Sequence, residues 1–275
     1  MLHLWPFTSL EAAIIVTYRC NARCKMCNTW QYPTTPEDEI TAEHLVSLPK
    51  LRSINITGGE PFLRKDLDSI ISVLLPKTKR LVISTNGYFT ERILEVAKKF
   101  PEIGIRVSIE GLPKANDELR GIKDGFDHGL RTLINLRQMG FRDIGFGITV
   151  SDKNAKDLLE LYHLAKMMGM EFATAIVHNS YYFHKFDNRI EDPEFVAHQF
   201  EKLAKEMKQS RRPKDWFRAY FNLGLANRAR GGMRPLPCRA LTDFFFIDPL
   251  GEVRPCNVME ESIGNIKTHT FKELW

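Results

Sequence analysis

Cysteine is scarce in this chain, and its placement excludes several protein classes. Five cysteines among 275 residues is an odd number, and three of them stand too close together to build a disulfide framework. The expectation is a reducing, cytoplasmic location. Long apolar runs are also absent, so no segment is expected to cross a bilayer and no membrane partner is expected. Met1 to Leu10 carries neither a basic segment nor a small-residue cleavage site, so no signal peptide is expected. Low-complexity segments and internal repeats are missing. The length suits one large domain, or one domain with a small appendage. It also allows burial of on the order of three-quarters of the extended surface, so a metal need not hold the fold together.

Charge is present but uneven. The net formal charge is +5, yet ten Lys or Arg fall between Lys205 and Arg239 against Glu206 and Asp215. That local excess of eight leaves about −3 on the rest of the chain. Such a segment is either a solvated helix face or a basic wall toward an anionic substrate, a partner or a redox donor. Its aromatics, Trp216, Phe217, Tyr220 and Phe221, are spaced like a helix core, which speaks against a nucleic-acid groove.

Short β-like runs alternate with helix-like stretches. The run Ala12 to Tyr18 is followed by Ser53–Thr57, Arg80–Ser84, Ile103–Ile109, Ile144–Val150 and Glu171–Val177. Asp66 is placed to cap a helix over Leu67–Leu75, and Thr90 one over Glu91–Phe100. Asp127 opens a helix that Gly140 closes, and Gly169 ends one beginning near Ala155. Strands alternating with helices predict a parallel sheet with right-handed crossovers. Six such units make an α/β fold short of the eight that close a barrel, with reactive groups expected at the C-terminal strand ends. Polar and special residues cluster at those ends. Two further helices, near Asp192–Ser210 and Lys214–Arg230, precede Gly231 and Gly232. A short β-like tail follows, with Phe244–Ile247 and Val253 flanking a turn at Gly251.

The first strand runs into Cys20, Cys24 and Cys27, spaced Cys-x-x-x-Cys-x-x-Cys. Three thiolates on one loop can hold three corners of an iron–sulfur cubane and leave the fourth iron without a protein ligand. A zinc site wants a fourth close ligand, which is missing, and a thiol nucleophile needs only one cysteine. Gly58-Gly59-Glu60-Pro61 follows the second strand. Together these segments resemble the two signatures of the radical S-adenosylmethionine (AdoMet) superfamily, and the resemblance covers most of the chain. It implies a partial (β/α)6 TIM-like barrel whose [4Fe–4S] cluster sits on Cys20, Cys24 and Cys27. In that family AdoMet binds the open iron, and one electron splits its sulfonium bond. The resulting 5′-deoxyadenosyl radical then abstracts hydrogen from a substrate.

The same resemblance implies cofactor contacts. Gly58, Gly59, Glu60 and Pro61 would receive the AdoMet amino group through backbone carbonyls and the acidic side chain. Ser108 and Glu110 would approach the ribose, with Ser84 and Asn86 on the neighbouring strand end. Arg120, in Asp117-Glu118-Leu119-Arg120-Gly121, would meet the carboxylate in two-point geometry. Thr149 would add a hydroxyl. No catalytic residue beyond these is identified.

Cys238, Gly251 and Cys256 resemble the opening of the SPASM or twitch extension, as do the stretches Ile263 to Ile266 and Phe271 to Trp275. Only two thiolates are then available for an auxiliary cluster. A shortened extension, help from a group such as His269, and a cluster-free β hairpin holding two structural cysteines all remain open. His178, Asn179, Tyr181 and Tyr182 follow the sixth strand and are candidates to face the substrate. With a first strand near Ala12, no N-terminal peptide-recognition domain is expected, which weakens, without excluding, a peptide-maturation role.

The resulting organisation is a barrel core over 1–187, a basic helical segment over 188–235 and a SPASM/twitch-like β-hairpin tail over 236–275. The expected activity is oxidation, epimerisation or bond formation on a small molecule or peptide. The expected electron donor is a protein such as flavodoxin or ferredoxin. The alternative is a non-catalytic iron–sulfur protein that binds a partner through its basic helices.

Overall fold

A computed structural model describes residues 10–275. The expectation about a signal peptide concerns residues 1–9 in the main and lies outside the described residues. Six strands lie side by side in chain order and run parallel: β1 (Glu11–Ile15), β2 (Ser53–Thr57), β3 (Leu81–Thr85), β4 (Gly104–Ser108), β5 (Ile144–Val150) and β6 (Glu171–Ile176). The crossovers carry α1 (Leu67–Leu74), α2 (Thr90–Lys99), α3 (Pro113–Arg120), α4 (Gly125–Gln138) and α5 (Leu158–Met167). This is the expected partial barrel. Its strands are apolar on both faces, as parallel strands covered by helices must be; in β4, Gly104 to Val107 are all buried.

The first crossover is the exception. Between β1 and β2 the chain forms only two 3₁₀ turns, Thr29–Gln31 and Glu43–Leu45. The cysteines lie on this irregular stretch, where a loop can bend around a bulky ligand as a regular helix could not.

After β6, α6 (Pro193–Lys208) and α7 (Pro213–Ala229) pack against each other. The chain then forms β7 (Phe244–Ile247), β8 (Glu252–Arg254), β9 (Gly264–Asn265) and the short α8 (Phe271–Leu274). β7 and β8 make the expected antiparallel hairpin. The hairpin is part of the barrel sheet, because β7 also pairs in parallel with β1, Glu11 opposite Phe244. Phe245, Phe271 and Trp275 stack beside it, with the Phe245 and Phe271 rings 4.7 Å apart. None of the described helices is long and apolar enough to cross a membrane.

Several local expectations are corrected. Asp66 precedes α1, but its carboxylate does not cap the helix; Arg64 Nε takes it at 2.8 Å. Thr90 lies inside α2, and its hydroxyl pairs with that of Thr132 at 2.7 Å. α4 starts at Gly125, two residues before Asp127. Gly140 and Gly169 do end their helices, at φ +90° and +65°. The largest correction concerns α7: its buried positions are Ala219, Asn222, Ala226 and Ala229, and the four aromatics read as core are exposed.

Candidate active site at the strand ends

One cavity of about 270 Å³ opens at the C-terminal ends of the strands. Cys20, Cys24 and Cys27 line it together with Gly58, Gly59, Ser84, Asn86, Ser108, Glu110, Arg120 and Thr149. Five strand ends thus converge on the cysteine loop, as the barrel topology requires. Glu60, Pro61, Cys238 and Cys256 do not line it.

The cysteines form no disulfide. Burial pushes the Cys20 thiol up to about 12 and raises those of Cys24 and Cys27. Among the described residues no three Cys, His, Asp or Glu converge on a single metal ion. A cubane places each thiolate on a different iron, so such convergence is not what it requires.

The loop is held from three sides. Its backbone docks on the end of α3, with Arg23 N donating to Arg120 O at 2.9 Å and Lys25 N to Leu119 O at 2.8 Å. Gly121 ends α3 at φ +57°, and a Cβ there would lie 2.5 Å from Arg23 O. Glu39 fastens both flanks of the loop. Its carboxylate accepts from Thr17 before the cysteines and, at 2.6 Å, from Thr34 after them. It also pairs with Arg19, whose Nη2 lies 2.7 Å away. The third anchor is the segment after β6, where Asn28 N donates to Phe183 O at 2.8 Å and Asn188 Nδ2 to Met26 O at 3.0 Å.

Gly58 and Gly59 lie against the strand leading into this loop. A Cβ on Gly58 would stand 2.7 Å from Thr17 O, and one on Gly59 only 2.2 Å from Arg19 O. Only glycine permits that approach. Glu60 differs from its expected role. Its side chain is fully buried behind the cavity wall, accepting from Phe62 N at 3.1 Å, Thr85 Oγ1 at 2.8 Å and Asn86 N at 2.7 Å. Burial raises its pKa. It latches the β2 loop to the end of β3, and Pro61 starts the 3₁₀ turn behind it.

Opposite, Glu110 accepts from Arg120 Nη1 at 3.2 Å and from Thr149 N at 2.6 Å. Burial raises its carboxyl, while two donors on two oxygens favour the carboxylate. Burial also disfavours the Arg120 cation, but Cys24 and Glu110 outweigh it and raise its pKa. Arg120 Nε is buried without a hydrogen-bond partner. A buried guanidinium with an unused donor beside a cavity is suited to an anionic oxygen supplied by a ligand.

His178 and Tyr182 reach the cavity, whereas Asn179 and Tyr181 do not line it. Asn179 Oδ1 accepts from Asn188 N at 2.8 Å, and Tyr181 lies under Arg254. Three positions absent from the sequence reading matter here. Glu39 staples the cysteine loop. Asn154 ties Glu110 O and Thr149 O together, at 2.6 and 2.9 Å. Asn257, next to Cys256, accepts from Tyr182 N at 3.1 Å and from Ser180 Oγ at 2.5 Å. Each acts across a large sequence separation, and no local pattern marks it.

Comparison with known proteins agrees with this geometry. A family profile described as the radical SAM superfamily matches residues 14–165, and one described as an iron–sulfur cluster-binding domain, SPASM, matches 238–275. The chain is 34% identical over 174 residues to an Fe-coproporphyrin III synthase of Methanosarcina barkeri, covering 59% of this chain and 43% of that protein. It is 26% identical to an AdoMet-dependent heme synthase of the same organism, covering 94% of this chain and 80% of the other. Among solved structures, Streptococcus suis SuiB bound to S-adenosylmethionine superposes with a TM-score of 0.75 at 17% identity, over 98% of this chain and 66% of that one. At that identity the likeness speaks for the fold alone.

Proposed function

This chain belongs to the radical SAM superfamily, and from that premise we propose that Cys20, Cys24 and Cys27 hold its [4Fe–4S] cluster and that the cavity beside them binds AdoMet. The residues fit that pair of cofactors. Three thiols share a wall with Gly58 and Gly59, and the unpartnered Arg120 Nε offers a donor for a carboxylate. When bound, cluster and AdoMet supply a carbon radical by one-electron cleavage of the sulfonium bond.

The protein's own part is placement and exclusion. Arg120, steadied by Glu110, fixes the carboxylate end of the ligand. The Gly58 and Gly59 carbonyls would accept from its amino group, with Glu60 holding that loop from behind. Ser84, Asn86, Ser108 and Thr149 supply polar contacts along the strand ends. Phe183, Val177 and Trp30 close the apolar side of the cavity and keep water from the reacting centre. Residues 1–187 would form this core, 188–235 the helical segment and 236–275 the SPASM-like tail.

A substrate of the tetrapyrrole class is favoured, with hydrogen abstraction leading to oxidation or loss of a side-chain group. The observation that carries this class is the pair of relatives named for coproporphyrin and heme, one aligned over 94% of this chain. The cavity of about 270 Å³ lies at the small end for ligand pockets. It suits the cofactor, and the substrate would cap its mouth near His178. A flavodoxin- or ferredoxin-type donor would supply the electron.

The test is anaerobic reconstitution, reduction and addition of AdoMet with coproporphyrin. The expected result is 5′-deoxyadenosine, more of it with the porphyrin present, and none from Cys24→Ala. Equal output from Cys24→Ala, or no output from either protein, overturns the enzymatic reading.

A further inference from the structure

α7 is built with its small residues inward and its large ones outward. Ala219, Ala226 and Ala229 face the protein, and Asn222 Oδ1 accepts from Thr174 Oγ1 of β6 at 2.8 Å. On the other side Trp216, Phe217, Tyr220 and Phe221 are 53, 77, 49 and 55% exposed. The segment after the helix lies over it at Gly224, where a Cβ would meet Pro235 at 3.3 Å. That segment adds Met233 and Leu236, 87 and 61% exposed, to the same side. Aromatic side chains of this kind each carry ~150–250 Å², so the four contribute roughly 450 Å² of exposed ring surface. That alone reaches the size at which an apolar patch marks an interaction site.

The charges around the patch select its occupant. Lys214 and Arg218 at the start of α7 are paired with Glu171. Lys208, Arg211, Arg228 and Arg234 have no acidic partner among the described residues. These four flank both ends of the aromatic ridge, and α7 sets one carboxylate against them, Asp215, which accepts from Ser210 Oγ at 2.6 Å and leaves an excess of three positive charges. A two-fold contact between copies of α7 would set cation against cation, which disfavours a second copy. The ridge is one convex helix with protruding rings, a shape suited to insertion at a yielding interface.

We propose that the outward face of α7, with Met233 and Leu236, is a docking surface for an anionic phospholipid bilayer. The helix lies in the interface plane. Its 17 residues span ~26 Å, with rings at the acyl boundary and Lys or Arg at the headgroups. The absence of a spanning segment has no bearing on binding of this kind. Lys214 and Arg218 meet Glu171 at the start of β6, so the aromatic half of α7 lies toward the strand end opposite the cavity. The mouth of the cavity therefore stays open while the ridge is buried.

Co-sedimentation with large unilamellar vesicles tests this without any cofactor. Binding is expected to vesicles of phosphatidylcholine with 30% phosphatidylglycerol, at least tenfold tighter than to phosphatidylcholine alone, and to weaken at least tenfold in high salt. A Phe217→Ser, Phe221→Ser variant should lose at least tenfold in binding while keeping its thermal midpoint, since both rings are exposed. An Arg211→Glu, Arg234→Glu variant should lose the preference for anionic lipid. Absence of binding to the anionic vesicles overturns the proposal, as does equal binding to both compositions. Concentration-dependent dimerisation abolished by the serine variant also overturns it, in favour of a second copy.

Discussion

The phenol of Tyr182 donates to the Gly58 carbonyl at 2.6 Å, while its backbone N–H donates to Asn257 O at 3.1 Å. One residue therefore joins the glycine loop to the turn that carries Cys256. Burial keeps this phenol protonated far above the ordinary tyrosine range, so it remains a donor. Tyr182→Phe leaves the ring packing against Tyr18 and Phe246 in place and removes one hydrogen bond, about 1 kcal/mol. AdoMet affinity is expected to fall roughly fivefold with iron content unchanged. Equilibrium dialysis beside an iron assay reads both; an unaltered dissociation constant would show that Gly58 needs no such support.

Gly59→Ala should damage the site through its backbone. The new Cβ would sit 2.2 Å from Arg19 O, a main-chain atom just ahead of Cys20. Relieving that overlap costs about 1–3 kcal/mol and displaces the cysteine loop, so reconstituted iron should fall at least twofold. Gly147→Ala, whose Cβ meets nothing nearer than Val107 O at 4.0 Å, is the matched control and should load normally.

The tail supports a separate expectation. The SPASM match covers 238–275, so a Cys238→Ala, Cys256→Ala protein should bind less iron while retaining the cluster signal that AdoMet perturbs. Cys20→Ala should remove the AdoMet-sensitive signal. Electron paramagnetic resonance with iron and sulfide counts distinguishes the two. Wild-type iron in the tail variant would make Cys238 and Cys256 ordinary structural cysteines.

Far from the cavity, at the start of the strands, Asp143 accepts from Arg80 Nε at 2.8 Å and pairs with Arg106 Nη2 at 2.5 Å. Burial opposes its charge, but the two guanidiniums outweigh burial and hold the carboxyl well below its usual range. Its contribution is therefore complete above the unfolded Asp value of about 3.9 and is lost as pH falls below it. Asp143→Asn should cost about 2 kcal/mol at neutral pH by weakening the hydrogen bonding of the buried Arg106. The difference from wild type should shrink in melts below pH 4; a pH-independent difference would assign the effect to packing.

Much of the barrel is legible in the sequence because parallel strands are short apolar runs bounded by turn residues. Ser53–Thr57, Ile144–Val150 and Phe244–Ile247 have the expected limits. The caps at Asp66 and Thr90 are misread because competing partners take their side chains, Arg64 two residues away for the first and the remote Thr132 for the second. In α7 the helical spacing is real but the face is reversed. Periodicity shows that a helix has two sides, not which one the protein covers. The burial of Glu60 is not legible in the sequence, because its three donors, Phe62 N, Thr85 Oγ1 and Asn86 N, are brought to it by the fold.

The docking of Arg23 and Lys25 on the carbonyls of Arg120 and Leu119 sets an order of events during synthesis. About a hundred residues must emerge from the ribosome between the first cysteine and the platform that shapes its loop. Iron delivered to the nascent chain before α3 has wound would meet three loose thiols that any soft metal could take. Maturation of this protein therefore belongs after α3 has wound, on a chain whose barrel has already formed as far as its fourth strand.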